Sequence, residues 1–308
     1  MDDHPDPARE TGSSLAEDGP DRQRERLERH VTGLASGIGP RNIYHYEALR
    51  AAAAYVEVSL AEAGHAPAPQ PYEARGKAFA NIVAEVAGTG RPDRIVVVGA
   101  HYDSHKGSPG ADDNASAVAA LLELARHFAH RPPPSRTLRF VAFANEEAPF
   151  TRRADMGSRV YAKECRRRGE VVAGMVCLES LGYYSDEVGS QWLSFRGRLL
   201  PRRGDFLALV ANRPSRGLLA QVGGTLRRQG SLPYRPMVLP THFPGAWSSD
   251  HWSFWREGYP AVMVTDTVPL RNPYYHSRED TPDKVDFARL DRAVDDLKAA
   301  VAGLVGGE

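Results

Sequence analysis

Five short stretches of the sequence gather side chains that bind hard cations or move protons. They are His101-Tyr102-Asp103, Asp112-Asp113-Asn114, Glu146-Glu147, Glu179 and Tyr275-His276. Imidazole mixed with carboxylate suits zinc best, with cobalt or manganese as alternatives. No cysteine stands among these residues, which argues against a purely structural zinc. A metal-bound imidazole usually donates its other N–H to a carboxylate or carbonyl, so Asp103 can orient His101. Neighbouring side chains on extended backbone point to opposite sides. Of Glu146 and Glu147, one could then ligate a metal while the other faces substrate as a base.

Each stretch has a plainer explanation. His-x-Asp is commonly an ordinary loop pair, and Asp112 or Asn114 could simply cap the helix that follows. Glu146-Glu147 could be a solvated turn, and His276 a lone loop histidine. Asp250-His251 is another polar pair, near aromatic residues, that could support the site, cap a helix or do neither. Glu179 is harder to dismiss, because a charge ending an apolar run needs a cation, a hydrogen-bond network or water.

The elements that must position these residues give them joint weight. Ile95–Ala100 reads as a fully buried strand, and His101 and Asp103 sit just past its end. A helix follows Asn114, with Val118, Leu121, Leu122, Ala125 and Phe128 on one face. Further buried strands are expected at Thr137–Ala144, leading into Glu146-Glu147, and at Val171–Leu178, leading into Glu179. Phe206–Asn212 and Ala261–Thr265 complete the set, the last leading towards His276. Tyr72–Ala87 reads as a strand pair turning at Gly76. Helices are expected near 21–36, 43–63, 157–168, 214–229 and 286–304. Strands alternating with helices imply a single α/β domain, with a mixed, mostly parallel central sheet flanked by helices on both faces. In such sheets ligands bind outside the carboxyl ends of the strands, where all the candidates fall.

Composition narrows the partners. The chain has 308 residues, with 39 Lys+Arg against 39 Asp+Glu, so nothing favours nucleic acid or an anionic membrane. Its 42% hydrophobic and 25% charged residues are ordinary for a globular protein. Cys165 and Cys177 cannot build a disulfide framework, and Cys177 reads as a buried thiol. No apolar run is long enough to span a membrane, and the polar N-terminus has no apolar core of a signal peptide, so a cytoplasmic location is expected. Residues 1–20 are rich in Asp, Glu, Pro, Gly and Ser and are expected to be a disordered acidic tail before a catalytic domain at 21–308.

At these residues the sequence resembles the dizinc exopeptidase family of bacterial leucyl aminopeptidases and aminopeptidase Y, with glutamate carboxypeptidases and glutaminyl cyclases as more distant relatives. The motifs that carry the resemblance are HYDS at 101–104, PGADDNASA at 109–117, NEE at 145–147, LESLGY at 178–183, SSDH at 248–251 and YYHSREDT at 274–281. The resemblance implies that His101 ligates one zinc, Asp113 bridges two, and Glu147 and His276 serve the second. It implies that Glu146 is the general base and Asp103 the carboxylate that orients His101. Glu179 falls where the family usually places an aspartate on the first zinc, so the number of ions, two by the family pattern, turns on it.

The expected activity is hydrolysis of the N-terminal bond of peptides with a free N-terminus, through a metal-activated water. The alternatives are a single-zinc cyclase or acyl-amino hydrolase, and a non-catalytic binding domain that kept the fold. A carboxypeptidase would need basic residues for a terminal carboxylate, for which Arg152, Arg153 and Arg271 are available. Phe150, Tyr183, Tyr184, Phe243, Trp247, Tyr274 and Tyr275 are expected in loops walling the pocket, with an apolar first residue such as leucine the expected preference.

Overall fold

Alternation along the strands decides how this chain packs. In a computed structural model that describes residues 20–192, 201–241, 243, 245–246 and 248–306, eight strands form one sheet. They are β1 (Ala68–Ala74), β2 (Lys77–Val86), β3 (Arg91–His101), β4 (Arg136–Phe143), β5 (Val171–Glu179), β6 (Leu207–Ala211), β7 (Tyr234–Val238) and β8 (Ala261–Thr265), in the order β1-β2-β4-β3-β5-β8-β6-β7. The pairs β3·β4, β3·β5, β5·β8 and β6·β7 are parallel. The pairs β1·β2, β2·β4 and β6·β8 are antiparallel, which makes the sheet mixed and mostly parallel.

Side chains two apart share a face. Val96, Val98, Ala100, Leu138, Phe140, Val176, Leu178, Val262 and Val264 therefore point into one core. Covering it are α1 (Pro20–Thr32), α2 (Tyr46–Glu62), α3 (Ala117–Ala129), α5 (Arg216–Gln229) and α7 (Phe287–Gly306). Ile95, Val97, Val141, Phe143, Met175, Cys177 and Met263 point the other way, under α4 (Gly157–Arg167) and α6 (His251–Arg256). Gly99 lies on this second face, where a Cβ would come 2.4 Å from the Phe143 ring, so a side chain there has no room.

The chain leaves β3 through α3 to β4 on one side, then crosses through α4 to β5 on the other side of β3. The crevice at the carboxyl ends of β3 and β5 is thus the switch point where open α/β sheets bind ligands.

Two strands depart from the sequence-based expectation. β1 begins at Ala68, ahead of Pro69 and Pro71, and β7 contains Pro236 and had no expected counterpart. Both lie at the outer edges of the sheet, where a missing N–H sacrifices no ladder bond. The first helix also ends earlier than expected, at Thr32, and a wider turn runs over Gly33–Ile38. It begins at Pro20, while the expected disorder of residues 1–19 lies outside the described residues. Among the described residues no helix is long and apolar enough to cross a membrane.

Candidate metal centre

His101 ends β3 and Glu179 ends β5, so the switch point itself sets them side by side. His101 Nε2 lies 3.4 Å from Glu179 Oε2 and 3.4 Å from Asp113 Oδ1. The other oxygen of Asp113, Oδ2, lies 3.1 Å from His276 Nε2, which is 3.2 Å from Glu147 Oε1. Two triads result: His101, Asp113 and Glu179; and Asp113, Glu147 and His276. In each, the three donor atoms lie within 4.8 Å of one another. Asp113 belongs to both and turns one oxygen to each.

The donor set fits divalent ions. His101 Nε2, Asp113 Oδ1 and Glu147 Oε1 are buried and make no hydrogen bond. Buried polar atoms normally find partners, and three without one around a single space mark a place for cations. The protonation pattern agrees. Burial opposes charge on His101, but Glu179, Asp103 and Asp113 outweigh it and hold the ring well above the ordinary histidine range. Burial also resists the charge on Asp113, which His101 and His276 overcome, lowering its pKa. His276 is pushed up to about 10, since Asp113 and Glu147 outweigh its own desolvation. Protons on imidazoles thus supply positive charge that metal ions would otherwise bring.

Glu146 stands beside the triads. Burial first, then Glu147, Glu179 and Asp250, raise its pKa well above the carboxylate range, against an opposing pull from His101. Asp103 ties the neighbourhood together. Its Oδ1 accepts the Glu146 backbone N–H at 3.0 Å and its Oδ2 that of Glu147 at 3.1 Å. Its Oδ1 also lies 3.4 Å from His101 Nδ1, which is 3.1 Å from its backbone carbonyl. Asn145, Ser180 and His276 all hold left-handed backbone, at φ 59°, 45° and 57°. Non-glycine residues in that region cluster at functional sites.

Asp112 and Asn114 do not cap α3. Asp112 Oδ1 accepts the Gly182 N–H and its Oδ2 the Asn272 amide, at 2.9 and 2.8 Å. Asn114 bridges to β5, donating to Leu178 O and accepting from the Ser180 N–H. The peptide bond between Asp113 and Asn114 is cis. Asp250 opens α6 fully buried, with neither carboxylate oxygen hydrogen-bonded, while His251 Nε2 pairs with Ala246 O at 2.8 Å.

Several supporting residues escaped the sequence reading. Asp280 accepts the N–H groups of Asp112 and Asp113 at 2.9 and 3.2 Å. Its place in the YYHSREDT stretch was its one sequence signal. Arg41 is fully buried and donates to the carbonyls of Tyr102, Pro109 and Gly110, clamping the loop before Asp113. Ser249 donates to Glu179 Oε2 at 2.5 Å. Among the expected pocket residues, Phe150 and Tyr184 are buried and belong to the core. Phe243 is 41% exposed, and the rings of Tyr183 and Tyr274 meet edge to face. Trp247 lies outside the described residues. Arg271 is buried and donates to Gln191, Gly204 and Phe206, so it is not available for a substrate carboxylate.

Comparison with known proteins follows the same lines. A family model described as Peptidase family M28 matches residues 81–301. The uncharacterised protein YfbL of Escherichia coli (strain K12) is 36% identical, over 88% of this chain and 85% of that protein. Leucine aminopeptidase 1 of Arthroderma otae is 26% identical, over 87% of this chain and 70% of its own length. The crystallised BSAP, a zinc aminopeptidase from Bacillus subtilis, superimposes with a TM-score of 0.71 at 17% identity, covering 92% of this chain and 95% of that one. At that identity the likeness speaks for the fold.

Proposed function

The chain belongs to peptidase family M28, a metallopeptidase by its homologues, and on that premise we propose that it is a zinc aminopeptidase releasing the first residue of peptides. The observation that carries this reading is the pair of triads joined at Asp113, with Glu146 beside them. His101, Asp113 and Glu179 would hold one ion; Asp113, Glu147 and His276 the other. When bound, such ions supply a water acidified towards a pKa of about 7 and polarise the scissile carbonyl.

The chain's own groups do the rest. Glu146 takes the water's proton on its carboxylate and returns it to the leaving amine. In the metal-free chain burial and neighbouring carboxylates keep Glu146 protonated, and cations held beside it favour the ionised form that a base requires. Asp103 orients His101 and holds the backbone of both glutamates, fixing the base relative to the ligands. One of these ions would also take the substrate's free α-amine in its uncharged form, which would confine cleavage to the first residue. An apolar first residue, such as leucine, is the preference that the sequence suggests.

Counting zinc tests the two-ion arrangement against a single-zinc cyclase or acyl-amino hydrolase. Protein equilibrated with zinc and then desalted should retain about two ions per chain, and His276→Ala about one. One ion in the unaltered chain, undiminished in His276→Ala, would overturn the arrangement.

A further inference from the structure

His276 is held differently from the other candidate ligands. Its side chain is 30% exposed, against at most 10% for His101, Asp113, Glu147 and Glu179. It stands on a loop, with its backbone in the left-handed region. An imidazole so placed needs something to fix its plane before it can present Nε2 to Asp113 and Glu147.

Two rings do so. The His105 imidazole lies parallel to it, with centroids 3.9 Å apart and planes 8° from coincidence. Tyr275 stacks at 3.7 Å and 24°. His105 is itself well anchored. Its carbonyl accepts from the Asn42 amide at 3.3 Å and from the Ser108 N–H at 3.0 Å. One residue earlier, the Ser104 carbonyl takes a second bond from Asn42, and the Ser104 N–H reaches Arg41 O. Its Nδ1 is buried without a hydrogen bond, and the face of its ring covers the His276 ring.

We propose that His105 is a positioning residue for His276. Its ring face, carried on the loop that Arg41 and Asn42 pin, holds the His276 imidazole in the plane that completes the second metal site. Neighbours that orient a metal ligand commonly change metal affinity about 10–100-fold when removed. The inference rests on the two-ion reading for its effect on zinc, but not for its effect on the ring.

The test compares His105→Ala with His105→Phe, which keeps a flat face and no nitrogen. In competitive zinc titration, His105→Ala should weaken one of the two ions about 10–100-fold and leave the other unchanged, while His105→Phe should restore wild-type binding. In the metal-free protein, NMR relaxation of the His276 ring should show it freed in His105→Ala and held in His105→Phe. Unaltered zinc affinity and ring order in His105→Ala would overturn the proposal, as would a His105→Phe as defective as His105→Ala. Should the unaltered protein bind a single ion, the two-ion reading fails and the ring relaxation of the metal-free variants alone decides the role of His105.

Discussion

Glu146 and Glu147 are adjacent in sequence and differ in what surrounds them. Glu147 reaches His276, whereas Glu146 remains among carboxylates that resist its ionisation. Glu146→Gln keeps the shape and removes the carboxylate proposed as the base. It should bind zinc as the unaltered protein does while kcat falls about 10²–10⁴-fold, as measured by steady-state kinetics alongside metal analysis. Near-native turnover would remove Glu146 from the mechanism. These residue types were legible because chemistry restricts them: few arrangements other than a metal site gather imidazoles and carboxylates at strand ends. Arg41 was not legible. The carbonyls it holds near the site belong to residues about 60–70 positions away, and no local pattern announces a buried arginine that holds them.

At the scale of elements, the loop between β3 and α3 decides whether Asp113 can serve both triads. Gly110 turns there at φ +62°, and a Cβ on it would lie 2.4 Å from Asp113 O and 2.7 Å from the Ser104 side chain. Gly110→Ala should cost about 1–3 kcal/mol from overpacking and weaken zinc binding at both triads, read by denaturant unfolding and zinc titration. Unchanged binding would mean that the loop can shift without moving Asp113. The buried strands that feed this loop were plain in the sequence because uninterrupted apolar runs bounded by turn residues have few other homes. The outer strands were obscured by Pro69, Pro71 and Pro236, which are tolerated only because those strands lie at the sheet edges. Edge position is a property of the assembled sheet, and it cannot be read from a segment alone.

The whole molecule concentrates buried acid at one end of the sheet, and this sets how its stability depends on pH. Burial is the leading cause that pushes Asp112 up to about 6, and Glu147 and Asp250 each up to about 7. In the folded, metal-free chain these groups keep protons that the unfolded chain has already released. Their contribution to stability therefore falls as pH rises from about 4 to 7. It is offset in part up to about 6.5 by His30, His127 and His251, which burial lowers to about 4 and which the unfolded chain protonates first. His276, raised to about 10, acts in the same direction from about 6.5 upward. Thermal unfolding of the metal-free protein should show Tm declining from pH 5 to 8. Saturating zinc should recover it, by about 2.7 kcal/mol at a hundredfold excess over Kd for a single site. A metal-free Tm that rises across this range would contradict the acid-cluster account.

The most direct test of the central claim is hydrolysis of leucyl-p-nitroanilide beside its N-acetyl counterpart, by zinc-loaded protein, metal-free protein and zinc-loaded Glu146→Gln. Only the zinc-loaded unaltered protein should cleave at an appreciable rate, and it should cleave only the substrate with a free amine. Equal cleavage of the blocked substrate, or activity that survives without metal or without the Glu146 carboxylate, would contradict that claim.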